Sequence, residues 1–322
     1  MRIFRHYTDL PADARATVAA FGNFDGVHLG HRAVIEAAKR RAAELDRPLA
    51  VLTLEPHPRA YFQPDKAPFR LTPFRAKARL LEELGVEQLF VLAFDRSLAA
   101  LSAEDFITRV LVEGMDIRHA VVGYDFAFGH KRRGDVELLN RVGAHLGFGT
   151  ESVGPIMAED GVVYSSSRIR DHLVKGEPRQ AAALLGREWE IEGHVDTGRR
   201  LGNTIGFPTA NLALEEYLRP AYGVYAVRCG VEGGGATRWF DGAANFGKRP
   251  TVDGHTELLE AHLFDFTGDL YGRSLRVAFV ERLRAEKKFD GLDALKAQIA
   301  EDCRAARALL AERPRGAVTD RA

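Results

Sequence analysis

The segment Phe21-Gly22-Asn23-Phe24-Asp25-Gly26-Val27-His28-Leu29-Gly30-His31 constrains this chain more than any other. It leaves an apolar run, Thr17 to Phe21, and enters a stretch with Val34, Ala37, Ala38, Ala42 and Leu45 at helical spacing, so it reads as strand, turn and helix. Gly22, Gly26 and Gly30 lack Cβ, which permits positive φ and lets a bulky anion lie close to the main chain. The helix turns its unpaired N–H groups and the positive end of its dipole back on the turn, so phosphate is the expected guest. His28 and His31 share a face at that helix start and can donate to phosphate oxygens that gain charge during a reaction.

A His-x-x-His pair can also hold zinc or serve structure alone. No His-Glu-x-x-His, cysteine pair or third ligand at familiar spacing accompanies it. The stretch Gly22 to Gly26, with Val27-His28-x-Gly30-His31, resembles the FAD synthetase branch of the His-x-Gly-His nucleotidyltransferases. That resemblance implies catalytic roles for His28 and His31, and ATP and FMN contacts from Gly22, Asn23, Phe24, Asp25, Gly26 and Gly30.

Composition bounds the rest. With 322 residues, 46% of them hydrophobic, the chain can bury one or two cores. Lys plus Arg and Asp plus Glu are 45 each, so no general attraction to nucleic acid is expected. The two cysteines, Cys229 and Cys303, form no motif. Met1 to Leu10 lacks the apolar core of a signal peptide, and no apolar run reaches membrane-spanning length. The expectation is a cytoplasmic protein with no membrane or nucleic-acid partner, and composition leaves a homo-oligomer open.

Pro48 to Leu54, Leu89 to Phe94 and Ala120 to Gly123 read as further buried parallel strands. Between them, Thr72 followed by Pro73 reads as a helix cap, with Gly85 as the stop, and Ser102-Ala103-Glu104-Asp105 as a capping box opening a helix through Met115. The alternation predicts a parallel sheet covered on both faces, with ligands beyond the strand C-termini. Asp125, in Gly123-Tyr124-Asp125-Phe126-Ala127-Phe128-Gly129, falls at such an end. Ser165, Ser166, Ser167, Arg168 and Arg170 open another helix and suit a triphosphate or a leaving pyrophosphate. Both stretches, and Glu55-Pro56-His57-Pro58-Arg59 through Pro64, match the same family's segments, which implies nucleotide contact for Asp125 and the Ser/Arg group.

Beyond Arg187 the alternation stops. Trp189 to Val195, Gly223 to Cys229, Arg238 to Ala243, Glu257 to Phe266 and Ser274 to Leu283 read as strands between glycine-rich turns, predicting a small barrel. Asp290 to Glu312 reads as a final helix with Leu292, Leu295, Ile299, Cys303, Ala306 and Leu310 on one face. Gly198, Gly202 and Gly206 precede Phe207-Pro208-Thr209-Ala210-Asn211, where Thr209 and Asn211 offer the hard oxygens Mg²⁺ accepts. On residue types alone Pro-Thr-x-Asn is equally a plain turn.

The stretch resembles the Gly-x-Pro-Thr-Ala-Asn-Leu segment of riboflavin kinases, and three further matches follow in order. They are Gly223-Val224-Tyr225-Ala226, Asn245 to Thr251 and Leu259-Glu260-Ala261-His262. Phe246 and Arg249 depart from the residues common in that family. The resemblance implies ATP and flavin contacts from Gly198, Gly202, Gly206, Pro208, Thr209 and Asn211, Mg²⁺ on Thr209 and Asn211, and Glu260 as base. Gly242-x-x-x-x-Gly247-Lys248 imitates a Walker loop, but Arg249 stands where Ser or Thr is required.

The expected fold is therefore a Rossmann-like α/β nucleotidyltransferase domain over 1–186 and an antiparallel barrel kinase domain with a C-terminal helix over 187–322. The expected chemistry converts riboflavin to FMN and FMN to FAD with two ATP molecules and Mg²⁺. Transfer of another nucleotide, and an inactive flavin sensor, are the competing readings.

Overall fold

The computed structural model describes residues 1–196, 207–233, 236–251 and 254–313. The chain forms two compact units, one of Met1–Ala67 with Thr72–Ser165, the other of Pro68–Leu71 with Ser166 onward.

The first unit is built on six parallel strands: β1 (Arg2–Phe4), β2 (Val18–Phe21), β3 (Leu49–Glu55), β4 (Gln88–Ala93), β5 (His119–Gly123) and β6 (Gly149–Val153). Their order is β1-β4-β3-β2-β5-β6. Successive residues of β2 serve opposite faces, as the pleat requires. Val18 and Ala20 pack with Val34, Ala38, Leu80 and Leu81 of the helices α1 (Leu29–Leu45) and α3 (Phe74–Glu83), which flank the short α2 (Pro58–Phe62) in the chain. Ala19 and Phe21 pack with Phe106, Val110 and Leu139 on the other side. There α4 (Arg96–Ala100) leads to α5 (Ala103–Asp105), which runs on as a π-helical stretch, Phe106–Gly114, and α6 (Val136–Leu146) follows. Ser102 caps α5 as expected, its Oγ accepting from the Asp105 amide at 2.9 Å. Leu45 departs from its expected buried place at the end of α1 and is 42% exposed, the helix outrunning the sheet it covers.

The sheet order reverses at β2, which has β3 on one side and β5 on the other. Crevices in open parallel sheets form at such switch points, beyond the strand C-termini. The turn that starts at Phe21 is placed there by topology.

The second unit opens with α7 (Ser166–Lys175) and α8 (Pro178–Leu185). Its sheet has the antiparallel order β7-β12-β9-β10-β11-β8, formed by Trp189–His194, Ala210–Ala213, Gly223–Gly233, Ala236–Thr251, Gly254–Leu263 and Ser274–Arg284 as β7 to β12. The sheet curls until its two edges meet where Asp196 bridges to Asn211, the Asp196 amide donating to the Asn211 carbonyl at 3.0 Å. Strand β10 runs far past the expected Ala243 because β9 and β11 pair with it on both sides. Gly242 to Lys248 thus lies inside a strand, which removes the Walker-like reading. The final helix α9 (Leu292–Ala311) buries Ala306 and Leu310 against Ala226, Ala243 and Val280, whereas Leu292 is 54% exposed ahead of that contact. Arg284 clamps buried Asp302 through both oxygens at 2.9 and 2.7 Å, which fixes α9 to β12.

Candidate active sites

In the first unit His28 is the N-cap of α1, its Nδ1 accepting from the His31 amide at 3.2 Å. An Nδ1 that accepts leaves the proton of the neutral ring on Nε2, so that atom is a donor. The two imidazoles stack, with centroids 3.6 Å apart, and the buried Phe24 ring meets His31 edge-on at 5.3 Å. The histidine pair is therefore held by packing as well as by the cap.

The expected freedom of all three glycines is corrected at two of them. Only Gly26 has positive φ, at 91°. Gly30 is closely packed instead, since a Cβ there would lie 3.2 Å from the His28 ring and 3.3 Å from Tyr164 Cβ, and Gly22 is similarly close to Phe24. Phe24 and Val27 adopt φ of 49° and 44° instead. Positive φ at such residues costs about 1–3 kcal/mol each and survives only where the surroundings enforce it.

Those surroundings come from residues for which the sequence indicated another role or none. Thr72 was expected to cap α3, yet Pro73 takes that position and makes no side-chain cap bond. The Thr72 hydroxyl accepts from the Gly26 amide at 2.8 Å, and the Thr72 amide donates to Asp25 Oδ1 at 3.0 Å. Asp25, 2% exposed, also serves as a strut within the turn. The Asn23 carbonyl accepts from Lys77 Nζ at 3.2 Å and Thr53 Oγ1 at 3.3 Å. A lysine in an amphipathic helix reads as a solvated charge, so no sequence signal marks Lys77.

Asp125 is exposed just beyond the C-terminal end of β5, the neighbour of β2. Beyond β3 and β4, Tyr61, Phe62 and Phe94 form a mutually edge-on cluster with centroids 5.1 to 5.7 Å apart, and Phe62 is 65% exposed. Ser165 closes the first unit. Ser166, Ser167, Arg168 and Arg170 lie in the first turns of α7, in the second unit. Arg170 donates from Nε to the Phe69 carbonyl at 2.9 Å and covers the Phe69 ring, so part of its guanidinium supports structure.

In the second unit Glu260 on β11 sits directly opposite Asn211 on β8 and Asn245 on β10. Residues opposite one another across a sheet share a face, so three polar side chains form one row. Asn211 is 6% exposed and its Oδ1 has no hydrogen-bond partner among the described residues. A buried oxygen left in that state fits a cation ligand. Thr209 lies two residues before Asn211 and is half-buried. His262 Nδ1 donates to the Pro208 carbonyl at 2.7 Å, tying Pro-Thr-x-Asn to the strand that carries Glu260. Gly198, Gly202 and Gly206 fall outside the described residues.

Glu257, on the opposite face of β11, accepts from the Tyr222 hydroxyl and, at 2.8 Å, from Arg219. Burial first, then this carboxylate, pushes the Tyr222 phenol up to about 12. Glu257 is committed to that cluster and does not compete with Glu260. Among the described residues no group of three or more His, Cys, Asp or Glu is placed to hold a metal ion.

The fold and the two polar constellations define a class: an α/β nucleotidyltransferase unit joined to a barrel kinase unit. The FAD synthetase family matches residues 10–168 and the riboflavin kinase family residues 185–310. The bifunctional riboflavin kinase/FMN adenylyltransferase of Pseudomonas fluorescens is 42% identical over 312 residues, 97% of this chain and 98% of that protein. The protein of the same name from Escherichia coli (strain K12) is 43% identical over 303 residues, 94% and 96% of the two chains. A crystal structure described as a macrolide-efflux protein from Streptococcus pneumoniae has a TM-score of 0.83 at 30% identity, covering 95% of this chain and 98% of that one. No described helix is long and apolar enough to cross a membrane. The chain belongs to the bifunctional riboflavin kinase/FMN adenylyltransferase family.

Proposed function

We infer that this chain catalyses two successive ATP-dependent transfers, phosphorylation of riboflavin to FMN within 187–322 and adenylylation of FMN to FAD, with release of pyrophosphate, within 1–186. The observation that carries the kinase assignment is the placement of Glu260 opposite Asn211. Glu260 takes the proton of the ribityl 5′-hydroxyl as the hydroxyl oxygen attacks the γ-phosphorus of ATP and the γ-phosphorus bond to the departing ADP breaks. Thr209 and Asn211 would hold Mg²⁺, and the Asn211 Oδ1, without a hydrogen-bond partner among the described residues, supports that choice. Bound there, Mg²⁺ supplies charge neutralisation and alignment of the triphosphate.

In the other reaction an FMN phosphate oxygen attacks the α-phosphorus of a second ATP and the bond to pyrophosphate breaks. His28 Nε2, its Nδ1 already occupied, donates to the reacting phosphates, and His31 stacked on it does the same. The main chain of Gly22 to Gly26 and Gly30 lies against the nucleotide, with Asp125 at the neighbouring strand end. That the FAD synthetase match runs through Arg168 supports a role for Ser165, Ser166, Ser167 and Arg168 in this reaction. Tyr61, Phe62 and Phe94 suit the flat flavin ring of FMN. Neither transfer needs a covalent enzyme intermediate. Free thiols at Cys229 and Cys303 support a reducing cytoplasm as the setting.

The test is incubation of the purified chain with riboflavin and MgATP, resolving riboflavin, FMN and FAD by chromatography over time. FMN appearing before FAD is the expected course. Tight flavin binding without turnover would favour a sensor, and product only with another nucleotide acceptor would reassign the first unit.

A further inference from the structure

We propose that Lys77 is a positioning residue for adenylyl transfer, holding the phosphate turn from beneath together with Thr72. The inference rests on the reading of Gly22 to His31 as the ATP-binding turn.

Lys77 is fully buried on α3, and the acceptors its ammonium meets include Glu55 Oε1 at 2.8 Å, Thr53 Oγ1 at 3.2 Å and the Asn23 carbonyl at 3.2 Å. Thr53 passes its own hydrogen to the same carbonyl at 3.3 Å. Burying an ammonium is expensive even when paired, and an aliphatic residue would serve the core beside Leu80 and Leu81 equally well. The use of this charge is at Asn23. Between Asn23 and His28 the main chain passes through positive φ at Phe24, Gly26 and Val27, two of them residues that resist it. An unheld turn relaxes toward ordinary φ and carries the His28 cap with it. Lys77 grips one end of that stretch at Asn23, and Thr72, just ahead of α3, grips its middle at Asp25 and Gly26. One helix start therefore holds the strained turn at two places.

The alternative is that Lys77 only neutralises Glu55. Full-length wild type, Lys77→Met, Glu55→Gln/Lys77→Met, Thr72→Val and Thr72→Ser separate the two, with FAD formation from FMN followed against ATP concentration. FMN formation by the same preparations is the control for the second unit, and the thermal melting transition of each variant is the control for folding of the first. Lys77→Met is expected to lower kcat/KM for ATP in FAD formation about ten- to hundredfold, with KM for ATP raised, a change that a mere unfolded fraction does not produce. The double variant should stay impaired, Thr72→Val should share the defect, and Thr72→Ser should restore it. Recovery in the double variant, an unchanged KM for ATP in Lys77→Met, or equal behaviour of Thr72→Val and Thr72→Ser overturns the proposal. If Lys77→Met does not fold, the Thr72 pair decides. Wild type that makes FMN but no FAD overturns the functional reading and the proposal with it, whereas active wild type with unaffected variants overturns the proposal alone.

Discussion

The indole Nε1 of Trp189 donates to the carbonyl of Leu71 at 2.9 Å, 118 residues earlier in the chain. Trp189 is fully buried, and Leu71 belongs to Pro68–Leu71, which joins the second unit beside Tyr217 through the Arg70 and Leu218 amides. The barrel thus includes a strap from a part of the sequence far from its own.

Residues 187–322 expressed alone should make FMN and no FAD. They lack the Leu71 carbonyl, so the buried indole N–H loses its acceptor at a cost of about 1–3 kcal/mol, and they lack α7 and α8, whose Leu184 and Leu185 are buried. Trp189→Phe in the full chain should lower the melting transition by roughly 3–8 °C. The fragment should melt lower still. A folded fragment that binds riboflavin and MgATP without making FMN would defeat the assignment of the kinase to this segment.

His28→Ala should depress FAD formation by about a hundredfold or more, the usual consequence of losing a donor to developing charge. Riboflavin phosphorylation by the same preparation should be unchanged. Equal loss of both activities would count against the role given to His28.

Glu260→Gln preserves the side-chain shape and its place opposite Asn211 while removing the base. It should bind riboflavin, lose most FMN formation, and still convert supplied FMN to FAD. Asn211→Ala should weaken metal and nucleotide engagement instead, with a defect partly relieved by added Mg²⁺. Near-normal kinase turnover in Glu260→Gln would shift the account to positioning and metal alone.

His119 starts β5, is 8% exposed, and its Nε2 has no partner among the described residues. Burial first, then the Arg41 guanidinium, holds its pKa below the ordinary imidazole value, against the pull of Glu151 and Glu44. The unfolded chain therefore takes up this proton at higher pH than the folded one. The stability tied to neutral His119 is complete above about pH 6.5 and declines as pH falls toward the lower folded value. Melting temperatures from about pH 8 to about pH 5.5 should fall in the wild type and change less in His119→Gln. Identical slopes would show that other groups govern the acid limb.

The sequence by itself determined the elements and the chemistry that depend on near neighbours. The strand, turn and helix around Phe21 to His31, the Ser102 cap, the alternation that makes a parallel sheet, and five of the six barrel strands from Trp189 onward were legible. Each follows from local φ, capping or hydrophobic period, which a few consecutive residues settle. The residues of both polar constellations were legible through motif resemblance, and the family comparisons agree on the two activities. Only the tertiary structure decided what supports them. Thr72 left the helix cap for the Gly26 amide, Asp25 turned inward, and Lys77 was buried under Asn23 instead of facing water. Strand β8 was missed because Ala210–Ala213 is short and carries Asn211, and it exists through pairing with β11, whose Glu260 it sets opposite that asparagine. Such placements depend on which distant segment supplies the partner for a buried polar group, and the cost of leaving one unpaired is paid in three dimensions, where sequence spacing carries no information.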